Sequence, residues 1–280
     1  MKLRYQPFTL HFKYPFAIAA GTRTSTPVVF TELEHEHFTG YGEASMPPYL
    51  GESHESVCCF LSKAEPVLLK LKEPDDIENI MTAIDNIMPG NSAAKASIDI
   101  ALHDLAGKIK GLPWHAIWQL NKDKTPYTSY TIGMDQPSIL KQKTEESGEY
   151  KILKIKLGSA DDKKIINTVR SLTDKPISVD VNQGWTDKYF ALDMIHWLSE
   201  KNVLFIEQPM PKEKTDDMAW LTEKSPLTTI ADESVQRIQD IEKVKDVFSG
   251  INIKLMKCTG MNEAYKMIVR ARELNMKILI

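Results

Sequence analysis

Six charged residues sit in or just after short apolar runs, where burial is the expectation. Lys154 and Lys156 flank Ile155 in the run Lys151-Ile152-Leu153-Lys154-Ile155-Lys156-Leu157. Residues two apart on a β-strand share a face. The two lysines therefore point one way, and Leu153, Ile155 and Leu157 the other. Four later runs carry one charge each: Asp180 after Val179, Glu207 after Ile206, Asp232 after Ala231 and Lys254 after Ile253. Three carboxylates gathered in one cavity repel one another and need a cation. Oxygen donors with no nearby His or Cys select a hard divalent ion, Mg²⁺ rather than zinc. Lysines on either side of such an ion suit proton removal from one face of a substrate and return to the other. That is racemisation or epimerisation next to a carboxylate, with the ion stabilising an enediolate. A lysine serves as base near neutral pH only if its pKa falls from ~10.4, and a neighbouring cation or burial pulls it down.

The elements that must position these groups recur with a steady period. Strand-like runs lie near 127–133, 152–157, 177–181, 203–207, 228–232, 251–255 and 277–280, roughly 25 residues apart. Helical spacing of apolar residues fills the gaps at Asp161–Asp174, Lys188–Lys201 and Ser234–Phe248. This alternation predicts parallel strands with right-handed crossovers. An open sheet would spread five consecutive strands over about 20 Å, so convergence of the charges requires a curled sheet, a (β/α) barrel. Residues 121–280 are assigned to it. Residues 1–120 read as a preceding α+β capping domain. It has strands at 2–14 and 27–44, a Gly40-Tyr41-Gly42 turn, and helices at Val57–Lys70, Ile77–Met88 and Ser92–Lys110. Asn91 or Ser92 caps the last helix and Gly111 ends it. The final run, Met276 to Ile280, counts as the seventh strand, and a closed barrel needs eight. The expectation is a barrel of the modified TIM type, truncated after about seven strands.

Composition excludes several function classes. The formal net charge of -3 over 280 residues gives no electrostatic case for nucleic acid or an anionic membrane. Three cysteines, Cys58, Cys59 and Cys258, make no disulfide framework. No run approaches the ~18 apolar residues of a membrane span, and residues 8–20 do not read as a signal peptide. These features predict a cytoplasmic enzyme. His103 reads as a satisfied helix residue, His35 and His37 lack a third metal partner, and Cys258 reads as an inert buried thiol.

The motifs around the charges resemble the enolase superfamily, in its muconate-lactonising subgroup. They are Lys154-x-Lys156, Asp180-Val181-Asn182-Gln183-Gly184-Trp185, Ile206-Glu207-Gln208-Pro209, Ala231-Asp232-Glu233-Ser234 and Ile253-Lys254, with the helical stretch Asp99 to Lys108. The resemblance covers the whole chain. It implies that Asp180, Glu207 and Asp232 hold Mg²⁺ and that Lys156 and Lys254 are the acid/base pair. Lys154 would bind the substrate carboxylate or tune Lys156, and Asn182 and Glu233 would support the site. That lysine bases work with Mg²⁺ in this superfamily is an established pattern.

Within the subgroup the chain looks most like dipeptide epimerases, including those acting on L-Ala-D/L-Glu. These invert the α-carbon of the C-terminal residue. The loops expected to contact the substrate are Phe16–Thr26 and Met46–Ser53, with Phe16, Gly21, Arg23, Tyr49 and Thr131 lining the pocket. Gly21 stands where members selective for acidic dipeptides carry an arginine, and Arg23 follows two residues on. Met46 to Leu50 offers apolar surface. The expectation is therefore hydrophobic or small dipeptides over Ala-Glu. The family's Asp-x-Asp motif for the substrate ammonium would fall beyond Ile280. N-acylamino acid racemases, o-succinylbenzoate synthases and muconate cycloisomerases share the same metal and lysines. The resemblance also allows homo-oligomers. Outside the family, a Schiff-base lysine enzyme would not need the three acids, and a non-catalytic relative would have lost one of the lysines or acids.

Overall fold

The computed structural model describes residues 1–280. Three strands come first: β1 Lys2–Ile18, β2 Gly21–His35 and β3 Phe38–Ser45. Four helices follow: α1 His54–Lys70, α2 Ile77–Asp85, α3 Ser92–Lys110 and α4 Trp114–Ile117. The strands form an antiparallel sheet in the order β1-β2-β3. Leu33 of β2 and Leu102 of α3 belong to its 21-residue core.

Gly40 and Gly42 do not turn the chain. Both lie inside β3, and the reversal is at Glu36, whose φ is +52°. Side chains at these glycines would overlap the backbone carbonyls of Ala101 and Ser97, so their lack of a Cβ lets α3 lie directly on the strand. The cap of α3 also differs from expectation. Asn91 makes no side-chain cap bond, and Glu52 accepts from Ala93 N at 2.9 Å and Ala94 N at 3.3 Å instead. A carboxylate suits the positive end of a helix.

The remaining elements alternate: β4 Ser129–Ile132, α5 Pro137–Glu146, β5 Ile152–Lys156, α6 Asp162–Arg170, β6 Ile177–Asp180, α7 Lys188–Ser199, β7 Val203–Glu207, α8 Thr215–Lys224, β8 Thr228–Ala231, α9 Ile241–Val244, β9 Gly250–Asn252, α10 Met261–Glu273 and β10 Lys277–Leu279. The seven strands pair in sequence order, all parallel, from β4 to β10. The sheet is curled, a half-barrel, with a core of 34 buried hydrophobic residues.

The helix expected over Ser234–Phe248 shrinks to α9, preceded by a 3₁₀ turn at Ile238–Asp240. Side chains have claimed the backbone donors at its start. Asp240 accepts from Gln236 N and Arg237 N, and Glu263 accepts from Ile238 N. No helix is long and apolar enough to cross a membrane.

Candidate active site

Strand register brings the charges together. Lys154 and Lys156 are on β5, with Leu153, Ile155 and Leu157 fully buried behind them. Lys156 pairs in register with Asp180, and Asp180 with Glu207. Asp232 follows the last residue of β8, and Lys254 lies two residues beyond β9. The carboxylates of Asp180, Glu207 and Asp232 are buried, and one oxygen from each lies within 4.8 Å of the others. At that spacing each pair of charges repels by about 3–4 kcal/mol at an effective dielectric near 20. A cluster this costly needs cations.

Lysines supply them here. Lys154 Nζ donates to Glu207 Oε2 at 2.5 Å and lies 3.0 Å from Asp180 Oδ2. Lys156 Nζ donates to Asp180 Oδ2 at 2.6 Å and to Asn182 Oδ1 at 3.0 Å. Lys254 Nζ donates to Asp232 Oδ2 at 2.5 Å. Burial lowers the pKa of Lys154 and of Lys254, but the facing carboxylates outweigh it and hold both above the ordinary lysine range. Burial and the Asp180 charge push Glu207 up to about 7. Asp180 and Asp232 go the other way: burial raises them, and the adjacent lysines overcome it.

Asn182 also donates through Nδ2 to Glu233 Oε1 at 3.2 Å, which turns its amide oxygen towards Lys156. Burial and then the Asp232 charge raise the pKa of Glu233, and its Oε2 has no partner. Asn182, Gln183 and Gln208 all have positive φ, so the loops after β6 and β7 store backbone strain beside the carboxylates.

A cavity of about 540 Å³ opens over Lys156 and Lys254, between the barrel strands and the first sheet. Of the residues expected to touch substrate, Phe16, Gly21, Arg23 and Tyr49 line it. Thr131 does not. It lines a neighbouring groove that shares Phe12, Phe16 and Arg23. The Phe16 ring lies 5.8 Å from Lys156 Nζ and the Tyr49 ring 5.7 Å from Lys254 Nζ. Burial pushes the Tyr49 phenol up to about 12, against the opposing pull of Lys254. Arg23 makes no ion pair and stands 5.8 Å from the Phe12 ring.

Two buried residues at the site escaped the sequence reading. Lys257 donates to Asp232 Oδ1 at 2.7 Å, and Asn252 donates to Glu207 Oε1 at 2.6 Å. Asn252 carried a signal, since it lies two residues before Lys254. Lys257 carried none, because it falls in the loop after the strand. His103 is satisfied as expected, with Nδ1 2.8 Å from Asp99 O. Burial pushes the Cys258 thiol up to about 12, consistent with an inert group.

Comparison with known proteins agrees with this geometry. Residues 4–120 match the N-terminal domain of the mandelate racemase / muconate lactonizing enzyme family, and residues 139–280 match the enolase C-terminal domain-like family. An L-Ala-D/L-Glu epimerase of Bacteroides thetaiotaomicron is 54% identical over 281 residues, covering 100% of this chain and 73% of its own. The structure of a dipeptide epimerase from Enterococcus faecalis, complexed with Mg and L-Leu-L-Tyr, superposes with a TM-score of 0.90 at 29% identity, covering 99% of this chain and 80% of that one. A substrate-liganded L-Ala-D/L-Glu epimerase from Bacillus subtilis gives 0.91 at 26% identity, covering 99% and 81%. The chain belongs to the mandelate racemase / muconate lactonizing enzyme family of the enolase superfamily.

Proposed function

We propose that this protein is a Mg²⁺-dependent dipeptide epimerase that inverts the α-carbon of the C-terminal residue by two-base proton transfer. One observation carries the reading: three buried carboxylates at the ends of β6, β7 and β8 lie between Lys156 on one side and Lys254 on the other, under one cavity. The all-oxygen donor set and its depth of burial fit a hard divalent cation. Asp180, Glu207 and Asp232 would hold it, and when bound it stabilises negative charge developing on the substrate carboxylate.

The lysines do the proton work. One, as neutral amine, takes the α-proton, and the other, as ammonium, returns a proton to the opposite face. Lys154, paired with both Asp180 and Glu207, is the cation we assign to the substrate carboxylate. Residues 1–120 act as a cap over the barrel of residues 121–280, and bring Phe16, Gly21, Arg23 and Tyr49 to the substrate side chains. The reading is of a cytoplasmic enzyme working on a small molecule.

The cavity lining has two characters. Arg23 is a cation without a carboxylate partner, and the 54% identical relative is an L-Ala-D/L-Glu epimerase. Both favour an acidic C-terminal residue, and we put that reading first. Phe16, Ile18, Pro47 and Tyr49 favour the second reading, a dipeptide with an apolar side chain. The Enterococcus faecalis structure with L-Leu-L-Tyr lends it weight. A kcat/KM panel separates them. L-Ala-L-Glu above L-Ala-L-Leu and L-Leu-L-Tyr supports the first, and the reverse order supports the second. Inversion of none of the three, by protein shown to bind Mg²⁺, would sink the epimerase assignment.

A further inference from the structure

The two oxygens of each carboxylate in the triad have separate duties. Asp180 Oδ2, Glu207 Oε2 and Asp232 Oδ2 face Lys154, Lys156 and Lys254. The other three oxygens are held elsewhere. Asp180 Oδ1 accepts from Asn182 N at 3.1 Å, Glu207 Oε1 from Asn252 Nδ2 at 2.6 Å, and Asp232 Oδ1 from Lys257 Nζ at 2.7 Å.

Lys257 and Asn252 are 1% and 3% exposed, and neither lines the cavity. Lys257 Nζ also donates to Asp232 O at 2.8 Å and to Asn252 O at 2.9 Å. An ammonium has three protons, so Lys257 has none left for a substrate. That separates it from Lys156 and Lys254, which line the cavity and reach Asp180 and Asp232 from that side.

We infer that Lys257 and Asn252 are positioning residues for the metal. By pinning the far oxygens of Asp232 and Glu207 they make the near oxygens converge on one divalent ion. This rests on the Mg²⁺-dependent reading above. It makes a prediction opposite to that of net charge alone. Removing a buried cation makes the site more negative, so charge alone predicts tighter Mg²⁺ binding by a Lys257→Met protein. Positioning predicts weaker binding, by the 10–100-fold typical of lost partners behind a metal ligand.

The test is calorimetric titration of Mg²⁺ into the EDTA-stripped full chain, for the unsubstituted protein, Lys257→Met and Asn252→Ala. Circular dichroism and thermal unfolding in EDTA establish that each variant is folded. Asn252→Ala changes no charge, and it decides the matter if Lys257→Met does not fold. The expected result is a 10–100-fold rise in Kd for both variants. The Mg²⁺ concentration for half-maximal epimerisation should rise by the same factor, and most of kcat should return at saturating Mg²⁺. A merely structural role would instead lower the unfolding temperature in EDTA and leave Kd in place. Tighter binding by Lys257→Met, or a Kd for Asn252→Ala within threefold of the unsubstituted protein, overturns the inference. Absence of saturable Mg²⁺ binding by the unsubstituted protein overturns the underlying metal reading instead.

Discussion

Lys156 and Lys254 engage different carboxylates, Asp180 and Asp232, from opposite sides of the triad. That separation makes their roles distinguishable. In a two-base reaction each lysine serves one stereoisomer as base and the other as acid. Lys156→Ala and Lys254→Ala should each slow epimerisation by about 10²–10⁴-fold, the usual worth of a general acid or base. Each should still exchange the α-proton of one isomer, and the two variants should differ in which. Proton NMR in D₂O on both stereoisomers checks this, and loss of exchange from the same isomer in both variants would exclude opposed bases. Arg23 is the residue to test for specificity. A hydrogen bond to a charged group is worth roughly 1.5–3 kcal/mol. Arg23→Met should therefore cut kcat/KM for L-Ala-L-Glu by about 10–100-fold while changing L-Ala-L-Leu less than threefold. Equal losses on both substrates would remove Arg23 from side-chain recognition.

Elements carry these residues, and α10 shows how the first sheet's domain reaches them. The loop from Lys254 to Gly260 holds Lys254 and Lys257, and its far end meets α3. Asp99 Oδ2 of α3 accepts from Met261 N at 2.5 Å and lies 3.4 Å from Asn262 N, so it caps α10 from another part of the chain. Gly260 has φ +116°, and a Cβ there would overlap the Asp99 carboxylate. Asp99→Ala should cost the 0.5–2 kcal/mol typical of a lost cap, or about that, and Gly260→Ala should cost more, since it adds both strain and overlap. Thermal unfolding checks the order, and an equal or smaller loss for Gly260→Ala would contradict the close approach. Period-two charges and a roughly 25-residue repeat made all seven barrel strands legible in the sequence, because each strand's two faces differ chemically. That Asp180, Glu207 and Asp232 come together with Lys154, Lys156 and Lys254 was legible for the same reason. The short α9 was not, since Asp240 and Glu263 take its backbone donors through contacts that spacing does not encode. Nor was β3, since Gly40 and Gly42 look like a turn until α3 is seen lying on them. For Thr131, the strand position gave its face but not which of two adjoining grooves that face lines.

Across the whole molecule, ion pairs join the two cores. Asp85 on α2 accepts from the fully buried Lys95 at 2.7 Å and pairs at 3.2 Å with Arg237, which also binds Glu263 of α10. Lys266 of α10 pairs with Glu78 of α2. Burial raises the pKa of Asp85, but Lys95 and Arg237 overcome it and hold the carboxyl below its ordinary range. An acid depressed in the folded state contributes stability above its unfolded pKa, ~3.9, and loses it as pH falls through the folded value. Asp85→Asn should therefore melt at a lower temperature at pH 7, and the gap should close as pH drops below about 4. A gap independent of pH would show that the charge of Asp85 is not what holds the cores together. Ligand linkage gives a second whole-molecule readout. Mg²⁺ at 100 times its Kd should add about 2.7 kcal/mol of stability, absent in EDTA.

Dipeptide epimerisation in this cavity would exchange the α-proton of the C-terminal residue with the help of Mg²⁺. Mass spectrometry of L-Ala-L-Glu, L-Ala-L-Leu and L-Leu-L-Tyr incubated with the protein in D₂O, with Mg²⁺ and separately with EDTA, tests it most directly. The expected result is uptake of one deuterium at the C-terminal α-carbon of at least one dipeptide, with inversion, in Mg²⁺ and not in EDTA. Equal uptake in both conditions, or uptake at the N-terminal residue, would contradict it.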